Sequence, residues 1–203
     1  MSHLEDIALQ VVEFYVSLDK DLATFQKKAN YGCITGCSKC CTYPNIEATI
    51  LELLPYAFHV YENNQAETIY DGLLSNESPI CSLYKPLQID IQKGGCSNYA
   101  YRALICRLFG SSFTRDKNGE SILLACKDIK STFPDLQSTV NKEAHDGLQV
   151  PLATNYYNTL SDIDYNLSKQ QYPINEAMRL ALEMVLNHFY YSDPSSEDPK
   201  NAS

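Results

Sequence analysis

Cysteine is the residue type whose number and spacing in this chain point to chemistry. Residues 33–41 read CITGCSKCC, so four thiols fall within nine positions. Cys37 and Cys40 are separated by two residues, a gap that aims both sulfurs at one point when the chain makes a tight turn. The eight cysteines are Cys33, Cys37, Cys40, Cys41, Cys81, Cys96, Cys106 and Cys126. Because they all lie in one stretch of the sequence, a shared role is favoured over scattered packing.

Metal ligation is the shared role that the thiols indicate. Soft thiolates select zinc, iron–sulfur clusters or monovalent copper. Eight thiolates divide into two four-coordinate sites, which are either two zinc ions or one cubic iron–sulfur cluster with one zinc. Since neighbouring side chains point apart, Cys40 and Cys41 either serve two metals or one ligates while the other packs. Disulfides, or inert buried thiols with one or two reactive ones, are the weaker alternatives.

Charge and composition narrow the expected partners. Lys and Arg total 16 against 25 Asp and Glu, a net charge of −9, which opposes binding to nucleic acid or to an anionic membrane surface. The N-terminal segment has no basic lead and no unbroken apolar core, so neither a signal peptide nor a membrane span is expected. We therefore expect a cytoplasmic protein, with a metal ion and a protein as its partners.

The cysteine motifs resemble the bacterial CxxCxxCC cysteine-cluster family, which is also labelled YkgJ-like. Residues 33–41 are similar to its first signature, and Cys81-Ser-Leu-Tyr84 to its second. Residues 96–109, CSNYAYRALICRLF, share Cys, Ser, Tyr, Arg, Cys, Arg and Phe in register with the family block C-S-I-Y-E-x-R-P-x-x-C-R-x-F. The first gap is one residue longer than the family pattern, and Ala103 replaces its proline.

This resemblance spans about residues 33–127 and implies metal or iron–sulfur binding. Many members are labelled iron–sulfur oxidoreductases, and flagellin lysine methylases carry a similar cluster. Arg102 and Arg107 lie in the matching block. Their guanidinium groups are expected either to offset the charge of a four-thiolate site by donating to sulfur, or to pair with acidic neighbours.

Hydrophobic periodicity predicts the elements that must position the thiols. Apolar residues spaced by three and four favour long helices at 4–28 and 173–191. Residues 46–62 predict a helix that is kinked or restarted at Pro55, and residues 64–75 a shorter one.

Between and beyond these helices, turn residues dominate the pattern. Residues 76–95 are predicted to be a loop, and the Asn-Gly turn within residues 112–127 predicts a hairpin that delivers Cys126. A helix is expected to begin at Pro134 and to end before Gly147, while residues 151–172 remain undecided.

Together these features predict one domain over residues 1–191 and a flexible tail at 192–203. Its fold class is mainly α, with an irregular cysteine-rich middle at 33–127 that is stapled by metal and one small β-hairpin. The predicted function is metal binding, by zinc or an iron–sulfur cluster, in a closed structural site that supports an interaction surface. The alternatives are an iron–sulfur redox enzyme and a protein-modifying enzyme similar to flagellin lysine methylases. No catalytic residue is assigned.

Overall fold

The computed structural model describes residues 2–33, 37–87 and 90–192, and these are mainly helical. The helices in chain order are α1 His3–Lys28, α2 Ile50–Glu62, α3 Ala66–Leu74, α4 Leu104–Leu108, α5 Lys127–Thr132, α6 Leu136–His145, α7 Ala153–Ile163, α8 Tyr165–Ser168 and α9 Ile174–Ser192. The strands are β1 Glu47–Thr49, β2 Tyr84–Leu87, β3 Asp90–Cys96, β4 Phe113–Arg115, β5 Ser121–Leu123 and β6 Gln171–Pro173. The mainly α fold class with a cysteine-rich middle is confirmed.

Helix α1 confirms the long N-terminal helix. It begins with a capping box, in which the Glu5 amide donates to Ser2 Oγ at 3.3 Å and the Ser2 amide donates to the Glu5 carboxylate at 2.6 Å. One face of α1 is buried by residues spaced three and four apart: Ile7, Val11, Tyr15, Leu18 and Leu22. The helix ends at Lys28, and Asn30 follows in the left-handed region with φ of 49°.

Helix α2 differs from the prediction at its start. Residues 46–62 were expected to be helical throughout, but Glu47–Thr49 is strand β1, which pairs antiparallel with β6 so that Ala48 lies opposite Tyr172. Thr49 then caps α2, and the helix continues through Pro55 as a single element. The alternative of a restart at Pro55 is therefore wrong.

The main core forms where α1, α3 and α9 pack around α2. Helix α2 is buried on nearly every side, with Leu51, Leu54 and Tyr56 almost fully enclosed, because it contacts α1 on one side and α9 on the other. Met178 and Leu182 are the largest of the fully buried residues that α9 contributes. The predicted helices at 4–28 and 173–191 thus meet through α2.

A smaller second core lies beyond the C-terminal end of α1. Phe25, Phe113 and Val140 pack there with Tyr31, Leu123, Ile129 and Leu136. The predicted hairpin is confirmed as the antiparallel pair β4–β5, with Phe113 opposite Leu123. The helix expected from Pro134 begins at Leu136, and α5 before it was not predicted.

Two further regions correct or complete the sequence-based expectation. Residues 76–95 were expected to be a loop, but they contain β2 and most of β3, which form a second antiparallel hairpin. The undecided stretch 151–172 holds α7, α8 and the start of β6. Ser192, the first residue of the predicted tail at 192–203, is instead the last residue of α9, and the rest of that tail lies outside the described residues. Among the helices that the structure describes, none has the length and apolar character needed to cross a membrane.

Candidate metal centre

Four separate segments bring five thiols into one region. Cys40 and Cys41 lie in a short 3₁₀ turn at Lys39–Thr42, and this turn packs on β3. Cys81 precedes β2, Cys96 is the last residue of β3 and Cys106 lies in α4. Electrostatic interactions connect Cys106 with Cys40, Cys81 and Cys96, and connect Cys41 with Cys96 and Cys106. We refer to these five residues as the five-thiol cluster.

The β2–β3 hairpin explains why Cys81 and Cys96 are neighbours. Tyr84 at the start of β2 pairs with Cys96 at the end of β3. Cys81 is drawn back toward this pair by a turn, in which the Tyr84 amide donates to the Cys81 carbonyl at 3.0 Å. The Ser97 amide donates to the Leu83 carbonyl at 2.8 Å and extends the ladder past Cys96.

Backbone amides point at the sulfurs of this hairpin. The amides of Leu83 and Tyr84 hydrogen-bond to the Cys81 thiol, and the Asn98 amide hydrogen-bonds to the Cys96 thiol. Donors of this kind stabilise negative charge on sulfur, and outer-shell hydrogen bonds of this kind orient and tune metal ligands. The hairpin therefore presents two sulfurs that are suited to ligation.

Three thiols of the cluster, Cys81, Cys96 and Cys106, are held in the protonated state when they have no cation beside them. Burial raises the pKa of Cys106 to about 12, with the neighbouring thiols and Glu52 adding to the effect. Burial also raises the pKa of Cys81 and of Cys96. A divalent cation would remove the repulsion among thiolates and the cost of their burial. The donor set therefore fits zinc or iron, both of which thiolates bind well.

Cys40 and Cys41 differ in exposure and in protonation. Cys40 is exposed, whereas Cys41 is half-buried like Cys81, Cys96 and Cys106. The Cys41 thiol hydrogen-bonds to Cys40, which lowers the pKa of Cys40 to about 6 and raises that of Cys41 well above its ordinary value. The two sulfurs therefore lie side by side, which corrects the expectation that these neighbouring side chains point apart, and it is their exposure that distinguishes them.

The remaining cysteines lie outside this cluster. Cys37 and Cys126 both interact electrostatically with the Lys39 ammonium, which also forms an ion pair with Asp128 at 2.6 Å. Cys126 is at the N-cap of α5 and packs against the second core, three residues beyond the end of β5. Cys33 is exposed at the end of the described segment 2–33.

The five thiols are close but are not a finished chelate. Within residues 2–33, 37–87 and 90–192, no three His, Cys, Asp or Glu side chains stand in an arrangement that would hold a metal ion. All eight cysteines are free thiols. Ion binding therefore requires the sulfurs to close in by side-chain rotation or small backbone shifts.

The structure gives the two predicted arginines partners of their own. Arg107 is buried, and its guanidinium forms an ion pair with Asp19 of α1 and donates to the carbonyls of Ala100 and Arg102. It also lies over the Tyr15 ring, 4.1 Å from the centroid. The acidic neighbour that the sequence left open is thus Asp19.

Arg102 interacts electrostatically with one thiol of the cluster, Cys96. Its guanidinium pairs with Asp19 at 3.3 Å and stacks 3.9 Å over the Tyr99 ring. Its charge lowers the pKa of Cys96 against the larger opposite effect of burial. A cofactor-binding role for Arg102 and Arg107 remains a prediction.

Sequence reasoning missed the buried carboxyl group of Glu52, which lies beside the cluster. Its carboxylate accepts from the Thr49 amide at 2.9 Å and from the Ile105 amide at 3.2 Å. Burial raises the pKa of Glu52 to about 7. The sequence signal was present, since Thr49-Ile-Leu-Glu52 is a capping-box pattern, but it does not reveal the contact with α4.

Comparison with known proteins identifies this middle region. Residues 32–127 match the family model CxxCxxCC, which is described as a putative zinc- or iron-chelating domain. The resemblance drawn from the cysteine motifs over residues 33–127 is therefore confirmed. No curated protein and no solved structure matches the chain. The family description supports metal chelation by this region, with zinc and iron as the two candidate metals.

Proposed function

We propose that this chain binds zinc or iron in an inner site made from Cys41, Cys81, Cys96 and Cys106. The observation that carries the proposal is the convergence of these half-buried thiols from separate segments, with backbone amides directed at two of the sulfurs. Four thiolates complete a tetrahedral coordination shell. Cys40 is left out of the inner site because it is the exposed member of the five-thiol cluster.

The bound ion is structural in this proposal. The segments that supply the thiols have little regular structure of their own, and a short hairpin or a one-turn helix is unstable without support. An ion that links the turn at Lys39–Thr42 to β3 and α4 supplies that support. Four protein ligands leave no open position for substrate, which favours a closed site over a catalytic one.

The outer cysteines are proposed to form a second, more exposed site. Cys33, Cys37, Cys40 and Cys126 are the thiols that remain after the inner site is assigned. The nearness of Cys37 and Cys126 to the Lys39 ammonium supports their grouping. In this arrangement the adjacent Cys40 and Cys41 serve different ions.

Metal analysis of serine variants tests the inner site. The full chain is purified without oxygen, and zinc, iron and acid-labile sulfide are measured per chain together with the visible spectrum. We expect about two zinc ions per wild-type chain, or about four iron ions with sulfide and one zinc ion if one site holds a cubic cluster. In either case we expect loss of the inner metal in Cys106→Ser and its retention in the matched variant Cys40→Ser.

The same samples decide the metal and can refute the proposal. A colourless protein with zinc supports the closed structural site, whereas a brown protein with iron and sulfide supports an iron–sulfur cluster. If Cys106→Ser aggregates, Cys96→Ser at the end of the hairpin replaces it. Full metal content in both inner variants, or a wild-type chain with eight free thiols and no metal, would refute the inner site.

A further inference from the structure

Helix α1 carries an apolar stripe on the face that points away from the core. Leu9, Val12 and Val16 are 46%, 37% and 68% exposed, and their spacing of three and four places them on one side of the helix. A helix at the surface of a globular protein normally presents polar residues there. Aligned exposed aliphatic residues instead indicate a contact surface.

A groove lies beside this stripe. It has a volume of about 230 Å³ and runs between Val12 and Val16 of α1 and the segment Ala100–Tyr101, with Pro55 of α2 contributing. The charged residues that line it, Asp19 and Arg107, are paired with each other. A concave, apolar and electrically balanced wall suits an aliphatic side chain better than a charged ligand.

We propose that this surface binds the same surface of a second copy of the chain, with the two α1 helices antiparallel. The charges along α1 favour this direction. Glu5 and Asp6 lie in its first turn, whereas the exposed Lys20 lies beyond the other end of the stripe, between Asp19, which is paired with Arg107, and Asp21. A two-fold axis between Val12 and Glu13 sets Lys20 opposite Glu5 of the second copy. It also sets Asp6 opposite Asp19, whose charge is offset by its ion pairs with Arg102 and Arg107. Parallel pairing would instead set Lys20 against Lys20.

The same axis matches shape as well as charge. It sets Leu9 of each copy opposite Val16 of the other, where the groove lies. Leu9 and Val16 are equally far from the axis, about 5 Å at a rise of 1.5 Å per residue. In a two-fold interface the same surface must carry both a protruding group and the cavity that receives it. Here the Leu9 side chain protrudes, and the groove beside Val16 of the other copy receives it.

The other occupants of such a face fit less well. An anionic membrane attracts helices that are rich in Lys and Arg beside their apolar stripe, whereas α1 carries Glu5, Asp6 and Glu13 near the stripe and the chain has a net charge of −9. Since three aliphatic residues and a groove cover less area than the roughly 800 Å² per partner of a stable interface, the dimer is expected to be weak and reversible.

Sedimentation velocity of the full, metal-containing chain over a wide concentration range tests the proposal. We expect a monomer–dimer equilibrium that is abolished by Val16→Glu and unchanged by Leu74→Glu, a matched substitution at an exposed leucine at the end of α3. Lys20→Glu is expected to raise the dissociation constant about tenfold, as two exposed ion pairs become repulsions. The double variant K20E/E5K is expected to restore dimerisation, because the two opposed charges are exchanged.

Several results would overturn the proposal. A wild-type chain that stays monomeric at all concentrations excludes the dimer. A dimer that survives Val16→Glu and Lys20→Glu lies on another surface. If a monomeric wild-type chain co-sediments with anionic phospholipid vesicles and Val16→Glu does not, the stripe is a membrane contact instead.

Discussion

At the scale of single residues, Glu52 connects the capping of α2 to the segment that carries Cys106. One carboxylate oxygen accepts from Thr49 at the start of α2, and the other accepts from the Ile105 amide in α4. Glu52 is fully buried. Burying a carboxyl group is costly unless its oxygens are satisfied or it is neutral, and Glu52 combines hydrogen bonding with a raised pKa.

The titration of Glu52 predicts a pH-dependent contribution to stability. Burial raises its pKa to about 7 in the folded chain, whereas an unfolded Glu titrates near about 4.3. Its favourable contribution is therefore complete below about pH 4 and is lost as the pH rises through about 7. The Glu52→Gln variant does not titrate at this position. We expect the stability of wild type relative to E52Q to fall by up to ~3 kcal/mol from about pH 4 to about pH 8.

Urea unfolding of both proteins at a series of pH values measures this difference. The comparison with E52Q removes the pH dependence that the two proteins share. The series ends at about pH 8 because Glu52 also raises the pKa of Cys106, which titrates above that range in the folded chain. A difference that stays constant across the range would show that Glu52 keeps one protonation state.

Arg107 is the second residue whose environment defines its role. Its guanidinium donors go to Asp19 and to two carbonyls in the segment between Cys96 and Cys106. A lysine can replace only part of this planar set of donors. We expect Arg107→Lys to lower the free energy of unfolding by about 2 kcal/mol.

Arg115 offers a matched control for this substitution. It is exposed on β4 and donates to the Gly119 carbonyl within its own hairpin. Arg115→Lys is expected to change the free energy of unfolding by less than about 0.5 kcal/mol. Equal effects of the two substitutions in denaturant unfolding would mean that the Arg107 contacts add no stability.

At the scale of elements, the β2–β3 hairpin positions two of the four proposed inner ligands. Gly94 pairs with Pro86, and a Cβ at Gly94 would overlap the Lys85 carbonyl oxygen and lie 2.9 Å from the Tyr84 ring. A Cβ at Gly95 would meet nothing within 4 Å. The close approach of the two strands therefore depends on glycine at position 94.

This contrast predicts different effects of two neighbouring substitutions. Gly94→Ala is expected to push β2 from β3 and to displace Cys96 from Cys81, which lowers metal affinity by about ten- to a hundredfold, as other disturbances of ligand positioning do. Gly95→Ala is expected to keep the wild-type affinity. Competition with a chromophoric chelator measures both affinities. Equal metal affinities for G94A and wild type would show that metal binding does not depend on the close spacing of β2 and β3.

Some of the helices and strands could be predicted from the sequence and others could not. The helices α1, α3 and α9 were predicted because each presents a continuous apolar face, and β4–β5 because an Asn-Gly turn joins its strands. Strand β1 was taken for the first turn of α2, since its partner β6 lies far along the chain and leaves no local signal. The hairpin β2–β3 was missed because Pro86 and two adjacent glycines are typical of a loop.

The candidate site was predictable as a set of residues and not as a geometry. Cysteine spacing identified the thiols as a group. It gave no means to separate Cys41 from Cys40, because that distinction depends on which neighbour the turn at Lys39–Thr42 exposes. Likewise, the hydrogen bond between Glu52 and Ile105 joins residues far apart in the sequence, and no periodicity reports such a contact.

At the scale of the whole molecule, the thiols lie at the edge of a core that they do not build. The main core is formed largely by aliphatic and aromatic residues of α1, α2, α3 and α9, to which α4 adds Leu104 and Leu108, and Cys81, Cys96 and Cys106 pack against it from outside. The segment that carries them, about residues 81–109, contains only short elements. Its stability should therefore depend on metal far more than that of the long helices.

Metal removal is therefore expected to act locally. With chelator, we expect amide hydrogen exchange to become at least about tenfold faster in residues 81–109, while α2 and α9 keep their protection because their buried contacts do not involve the thiols. The loss of helical circular dichroism should be small, since α4 is a single turn. Hydrogen exchange with mass spectrometry, before chelation, after chelation and after metal return, measures this pattern. If chelation unfolds all segments together, the ion is essential to the main core as well. If hydrogen exchange is unchanged after verified metal loss, the ion has no structural role.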